Sequence, residues 1–135
     1  MLNREEQQLE LARLIRKGLS VPLVKENSSY YVNQREDACL ACALGLAYIG
    51  KVGRVNAVEE YDKFLNRSTH VLDGVPAPEG GYTSVIANLF YPELLLDIDL
   101  MRAVEAHHVQ GFTINEILLK LDAKEYGVIA TRGVQ

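Results

Sequence analysis

The two cysteines of this 135-residue chain are the residues whose type and spacing most suggest chemistry. Cys39 and Cys42 are separated by a leucine and an alanine, at the start of an almost wholly small or apolar stretch over residues 38–50. On a helix, residues three apart share a face, and a thiolate at a helix N-terminus is stabilised by the helix dipole. The pattern is typical of thiol–disulfide oxidoreductases, in which Cys39 would be the nucleophile and Cys42 the resolving thiol.

The residues around the two cysteines favour a different interpretation. Redox motifs of this spacing usually follow a strand of a βαβ unit, whereas the preceding segment here is polar and typical of a hairpin. From Ala41 to Ile49 the sequence is apolar on every side, as in a buried helix, and free cysteine packs in cores like a small hydrophobic residue. We therefore predict that Cys39 and Cys42 are core residues and assign no catalytic residue. If either thiol reacts, we expect it to be Cys39, in the first helical turn.

Histidines and a carboxylate are the next candidates. His107 and His108 follow Glu105, and with the two cysteines they supply four ligands that Zn²⁺ accepts. Adjacent histidines on a helix point in different directions, however, so both cannot easily reach one ion. Glu105 and His108 form one Glu-x-x-His, half of a di-iron signature whose second copy the sequence lacks. We predict no metal and no cofactor, and we expect the histidines at a solvated helix C-terminus.

The segment over residues 103–121 has the outline of a helix-turn-helix motif, with a break at Gly111 and a helix capped by Thr113. DNA recognition needs basic and base-reading side chains near the start of the second helix. This chain has an isoleucine, an asparagine and a glutamate there. The net charge of -4 and the pI near 5.4 also argue against a nucleic-acid partner.

The elements that position these residues are predicted to be mostly helical. Helix 1 carries an apolar stripe over about residues 4–17 and ends at Gly18. Two short β-prone runs follow and predict a small hairpin. The central helix should begin at Ala38 with Asp37 as its N-cap, and either Asp97 or Asp99 should cap a later helix. We predict the hairpin strands at 20–24 and 30–32 and further helices at about 57–66, 84–91, 94–108 and 113–125.

Together these elements predict a mostly α fold, with about five helices around a buried central helix and a small β-hairpin after helix 1. The length predicts a single helical domain over residues 1–135, with a Pro/Gly-rich loop at about 73–82. No signal-peptide pattern and no apolar run long enough for a membrane span are present, so we expect a cytoplasmic protein with no membrane contact.

The order of these pieces resembles a group of small uncharacterised bacterial and phage proteins. The resemblance rests on the Arg-Lys-Gly end of helix 1 at residues 16–18, on the Cys-Ala-Leu-Gly run at residues 42–45, and on the Gly-Phe-Thr turn at residues 111–113. Leu46 stands where the group has alanine. The resemblance implies the helical architecture and carries no catalytic residue across.

No catalytic set is assembled in the sequence, and the short amphipathic helices have broad apolar faces. The leading hypothesis is therefore a small cytosolic, non-enzymatic adaptor or regulator that acts through contacts with a protein partner. A hydrophobic content of 48% also favours homodimerisation. The alternatives are a thiol-active protein using Cys39 and Cys42 and, less favoured, a helix-turn-helix DNA-binding regulator acting through the Gly111 corner.

Overall fold

The computed structural model of the chain describes residues 2–71 and 85–126, with residues 67–71 described by their backbone only. These residues are mostly helical, with a small sheet after the first helix, as predicted. The elements are α1 Arg4–Leu19, β1 Val24–Glu26, β2 Val32–Gln34, β3 Cys39–Ala41, α2 Ala43–Val52, α3 Arg54–Val71, a π-helical turn Ile86–Phe90 leading into α4 Tyr91–Leu94, α5 Ile98–Val109 and α6 Ile114–Asp122. The predicted loop at 73–82 lies outside the described residues.

The sheet after helix 1 contains a hairpin, but it is formed by β2 and β3, and the predicted pairing of the strands at 20–24 and 30–32 is wrong because β1 and β2 do not pair with each other. The strand order is β1-β3-β2, with β3 parallel to β1 and antiparallel to β2. Cys39 and Ala41 of β3 are fully buried, whereas β1 and β2 each have one buried residue. The apolar strand takes the protected centre of the sheet, and the two polar strands take the edges.

The predicted start of the central helix is also wrong. Residues from Cys39 to Ala41 form a strand, and α2 begins at Ala43 with Cys42, not Asp37, as its N-cap. Periodicity cannot separate a short apolar strand from a buried helix. The backbone of residues 38–41 is engaged in sheet hydrogen bonds, so the helix starts at Ala43, two residues after the strand ends at Ala41.

Helix α2 packs closely against α1 through glycines. A side-chain carbon at Gly18 of α1 would overlap the Leu46 backbone oxygen, and one at Gly50 of α2 would overlap that of Leu14. The two helix backbones are therefore in direct contact, which larger residues at these two positions would prevent. Every residue of α2 from Ala43 to Gly50 is buried.

Small residues also bring the sheet against α2, although not as the sequence predicts. We expect Ala38, Ala41 and Gly45 to lie on one helical face against a neighbouring helix, but the two alanines precede the helix. Gly45 instead faces the backbone oxygen of Tyr31, just before β2, and a Cβ atom there would overlap it.

Helices α5 and α6 have the caps that the sequence predicts. The Asp97 side chain accepts a hydrogen bond from the Leu100 N–H (3.1 Å), and Thr113 and Glu116 form a reciprocal capping box. Gly111, at φ 108°, makes the turn between them. Within the described ranges, none of the helices has the length and apolar character required to cross a bilayer.

Candidate functional site

Cys39 and Cys42 do not share a helical face. Cys39 lies in the central strand β3, and Cys42 is the N-cap of α2, so the expectation that Cys39 occupies the first helical turn is wrong. Both thiols are free and fully buried. The residue at the helix N-terminus, where a thiolate would be stabilised, is therefore Cys42.

Burial determines the protonation state of both thiols, and at Cys42 it outweighs the effect of the helix N-terminus. Burial raises the pKa of Cys39, against a smaller opposing effect of the Arg54 charge. The pKa of Cys42 lies well above its ordinary value, first because of burial and then because of the Glu105 charge. The Gly45 N–H, 3.4 Å from the Cys42 sulfur, opposes this shift without reversing it. Both thiols are thus protonated at neutral pH, which does not suit a nucleophile.

Glu105 and His108 are the two buried polar side chains that α5 directs at the start of α2. They are 3% and 1% exposed, and His108 Nδ1 accepts a hydrogen bond from the Ala43 N–H at 3.1 Å. The Leu44 N–H favours the charged form of Glu105, and the third N–H of the helix meets the Cys42 sulfur. Each of the first three N–H groups of α2 therefore faces an acceptor. A buried helix end needs such acceptors, because its first N–H groups are shielded from solvent.

Glu105 and His108 each have one buried side-chain atom without a hydrogen-bond partner among the described residues. Burial raises the pKa of Glu105, and the Cys42 thiol, His108 and the Leu44 N–H oppose the shift. Glu105 Oε1 is buried without a hydrogen-bond partner. His108 Nε2 lies 3.1 Å from Glu26 Oε1 on β1, but outside hydrogen-bond geometry. Of the groups that favour the charged carboxylate, the Cys42 thiol has the largest effect.

The two histidines diverge, as their adjacency predicts, but the prediction that both lie at a solvated helix end is wrong for His108. His107 Nδ1 lies 2.7 Å from the Tyr126 hydroxyl, and its ring stacks on Phe112 at 4.4 Å between centroids. Burial and the Lys120 charge lower the pKa of His107. In the parts of the chain that are described, no three His, Cys, Asp or Glu side chains converge as a metal site would require.

Sequence reasoning identified the Glu105–His108 spacing but not what it does. Both residues continue the buried stripe of Met101 and Val104 on α5, so they point into the core. Two polar residues at that spacing on a buried helix face indicate that they bind a buried polar group of another element, here the N–H groups of a second helix. A buried polar group must find a partner.

A cleft of about 320 Å³ lies between β2 and α3. One wall is formed by residues 29–34 in unbroken succession, and the other by Val58, Tyr61, Asp62 and Leu65. The helix residues have the i, i+3, i+4, i+7 spacing of a single face. Successive strand residues point to opposite faces of a sheet. A wall that includes all of them therefore runs along the edge of β2, rather than over one face of the sheet.

The register of the sheet sets the direction of the backbone groups along this edge. The Arg35 N–H donates to the Ala38 oxygen at 2.7 Å, which makes residues 35 and 38 a hydrogen-bonded antiparallel pair. Bonded and non-bonded pairs alternate, so Val32 and Gln34, opposite Ala41 and Cys39, direct their N–H and C=O groups away from β3. Among the described residues, no backbone group outside the sheet bonds to Val32 or Gln34.

Tyr61 lines the cleft and also lies near the buried Cys42 and Glu105. Its ring lies 6.3 Å from that of Tyr31, which packs edge-on against Phe90 at 5.5 Å. Burial raises the pKa of Tyr61 to about 12, and the nearby Cys42 and Glu105 contribute to the shift. The aromatic rings of Tyr31 and Tyr61 therefore line the cleft and continue into the core through Phe90.

The Gly111 corner offers little positive charge to a nucleic acid. Lys120 of α6 pairs with Glu125 (3.6 Å) and lies over the Phe112 ring, while Lys124 pairs with Glu5 of α1 (3.4 Å). Nucleic-acid binding needs lysines and arginines that can pair with phosphates and so displace the counterions of the nucleic acid.

Comparison with known proteins found no matching family model, no matching curated protein and no matching solved structure.

Proposed function

We propose that this protein is non-enzymatic and acts as an adaptor or regulator, by binding an extended segment of a protein partner. The segment adds to the open edge of β2 and lies in the cleft between β2 and α3. The observation that carries the proposal is this cleft, in which a strand edge with outward backbone groups runs beside a single helix face.

Strand addition uses the features present along this edge. Backbone hydrogen bonds from Val32 and Gln34 would hold the added segment, and the helix face would receive its alternate side chains. Isolated edge strands are a liability that proteins usually cover or charge. The walls contain the rings of Tyr30, Tyr31 and Tyr61, and aromatic residues are enriched where proteins bind one another.

The state of the thiols supports a non-enzymatic role. A thiol enzyme using Cys42 would need a lowered pKa and access for its substrate, whereas this thiol is fully buried with a raised pKa. We therefore place the thiol-active alternative second and DNA binding third. The cytoplasm remains the proposed compartment, since a reducing environment keeps two free cysteines unpaired.

We also infer that α2 is the central helix of the fold. It is buried from Ala43 to Gly50 and contacts α1, α3, α4 and α5. Anchoring the sheet to this rigid centre through Gly45 and Tyr31 would hold the β2 edge in place for a partner. A protein that binds without a large ordering cost binds more tightly.

A displayed random library of peptides of about seven residues, long enough to span residues 29–34, tests the proposal. We expect selected peptides to bind the purified protein in anisotropy titrations and to shift the backbone amide NMR signals of Val32 and Gln34. Each selected peptide is then made in two methylated forms, one with methyl groups on its odd-numbered backbone nitrogens and one with methyl groups on its even-numbered ones. One of the two forms should bind at least about tenfold more weakly, because its methyl groups replace the N–H donors that face β2.

A matched pair of variants tests the same contact from the protein side. Gln34→Pro removes the outward N–H at an edge position where proline is tolerated, and Gln34→Ala keeps it. The proline variant should bind the selected peptides more weakly than the alanine variant, with both folded by circular dichroism. The proposal would be overturned by a library that yields no binder. It would also be overturned by binders whose affinity is unchanged in both methylated forms.

A further inference from the structure

We infer that the cleft selects a segment carrying a lysine or arginine, whose cationic end lies beside Asp62. This inference rests on the proposed function and names the chemistry of the partner.

The charges around the cleft favour a cation. Asp62 is the one charged side chain among the described residues that line it. Asp62 is exposed, and within the described part of the chain it forms no ion pair. Two arginines hydrogen-bond to uncharged residues of the cleft wall and not to Asp62: Arg35 donates to the Tyr30 hydroxyl at 3.0 Å, and Arg54 donates to Gln34 Oε1 at 2.9 Å. A bound cation would therefore meet a carboxylate that forms no ion pair with the described residues of the chain.

The walls beside Asp62 suit the stem of a long basic side chain. Val58, Tyr61 and Leu65 lie on the same face of α3 as Asp62, and the ring of Tyr31 lies across the cleft, 6.3 Å from that of Tyr61. Lysine and arginine bury their methylene groups along apolar surface and keep the charge in water. Aromatic faces also attract cations. With its pKa raised to about 12, Tyr61 stays neutral, so Asp62 supplies the negative charge of this wall.

The two ends of the cleft differ, which fixes where the basic side chain lies. The Arg54–Gln34 hydrogen bond joins the start of α3 to the end of β2. Asp62 and Leu65 lie two to three helical turns further along α3, next to Tyr61, whose ring is 6.3 Å from that of Tyr31. A cation should therefore be accepted at the end that precedes β2 and disfavoured at the Arg54 end.

The experiment applies the same peptide library to three proteins: the wild type, Asp62→Asn, and Glu59→Gln as the matched control. Glu59 is an exposed acid one turn earlier on α3 that does not line the cleft. We expect lysine and arginine to be enriched at one peptide position on the wild type and on Glu59→Gln, and not on Asp62→Asn. In the best wild-type peptide, replacing that residue with norleucine should weaken binding to the wild type about two- to fivefold, as expected for an exposed ion pair, and leave binding to Asp62→Asn unchanged.

Binders without basic enrichment, or a basic preference that survives in Asp62→Asn, would overturn this inference and leave the proposed function standing. A library with no binders would remove the proposed function itself. Sedimentation of the protein with and without peptide tests the remaining possibility. If the protein is a dimer that dissociates as the peptide binds, a second copy of this chain occupies the cleft, and the inference is overturned.

Discussion

His108 Nδ1 accepts a hydrogen bond from the Ala43 N–H at 3.1 Å, and this joins the C-terminal part of α5 to the first residue of α2. The two residues are 65 positions apart in sequence. Helix α2 starts inside the protein, so its N–H groups cannot bond to water and must find acceptors on neighbouring elements. The imidazole ring supplies one, which also means that the tautomer of His108 has its proton on Nε2.

Replacing His108 therefore tests whether this contact stabilises the fold. His108→Leu leaves the Ala43 N–H buried without an acceptor, and we expect the free energy of unfolding in urea to fall by about 1–3 kcal/mol. His108→Asn keeps an acceptor near the position of Nδ1 and should lose less stability than the leucine variant, despite its smaller volume. Val109→Ala, at an exposed position on the same helix, is the control and should stay within about 0.5 kcal/mol of the wild type. Equal losses for the leucine and asparagine variants would show that ring packing, not the hydrogen bond, is what matters.

Glu105 makes stability depend on pH in a defined direction. Burial raises its folded-state pKa above the ordinary value of 4.5. Below that value the carboxyl is protonated in both the folded and unfolded states. As pH rises from 4.5 through the folded-state pKa, the unfolded chain loses the proton first, so the folded state is progressively penalised.

Glu105→Gln removes this titration while keeping an acceptor for the Leu44 N–H. We expect the unfolding free energy of the variant, minus that of the wild type, to increase from pH 4.5 upward and to level off above the folded-state pKa of Glu105. Urea denaturation of both proteins across that range measures the difference, in which the other titrating groups largely cancel. A difference that decreases with pH would mean that the charged carboxylate is favoured by the α2 N-terminus more than burial disfavours it.

The sequence predicts the helical elements better than the sheet, for a physical reason. The helices with sharp amphipathic stripes and local caps, such as α1 and the one that follows Thr113, are found as expected. The strand from Cys39 to Ala41 is not predicted. Every residue there is small or apolar, so the hydrophobic pattern has no periodicity that could distinguish a strand from a helix. The sheet also depends on β3 inserting between β1 and β2, a long-range pairing that no local pattern specifies.

The candidate sites show the same limit. Glu105 and His108 were identified by their spacing, yet their partner is the start of α2, which lies far away in sequence. The cleft was not predicted at all, since its walls come from the edge of β2 and one face of α3. An edge becomes apparent only when the strand order is known, because the polar residues of β2 would equally suit a loop.

The thiols provide a prediction that separates the functional alternatives. Cys39→Ala leaves Cys42 alone, and Cys42→Ser leaves Cys39 alone while keeping a good helix N-cap. Because both thiols are buried and their pKa values raised, we expect each variant to react with a disulfide reagent at pH 7 far more slowly than free cysteine. Both should react at the ordinary rate in urea. Native labelling of Cys42 at or above the rate of free cysteine would instead support the thiol-active alternative.

Leu23 lies in a backbone conformation that leucine rarely adopts. Its φ is 69°, and the Val24 N–H donates to the Val21 oxygen at 3.2 Å across the turn that enters β1. A left-handed conformation costs a residue with a Cβ atom about 1–2 kcal/mol. The side chain is 59% exposed, so little burial offsets that cost.

Relieving this strain should stabilise the protein. We expect Leu23→Gly to raise the free energy of unfolding relative to Leu23→Ala by about 0.5–1 kcal/mol, after allowing for the greater flexibility of glycine in the unfolded chain. The alanine variant is the matched control, because it loses the same exposed side chain but keeps the strained Cβ atom. Thermal and urea unfolding of both variants measure the difference. An alanine variant as stable as the glycine variant would mean that the turn carries no strain, or that it changes conformation when the leucine side chain is removed.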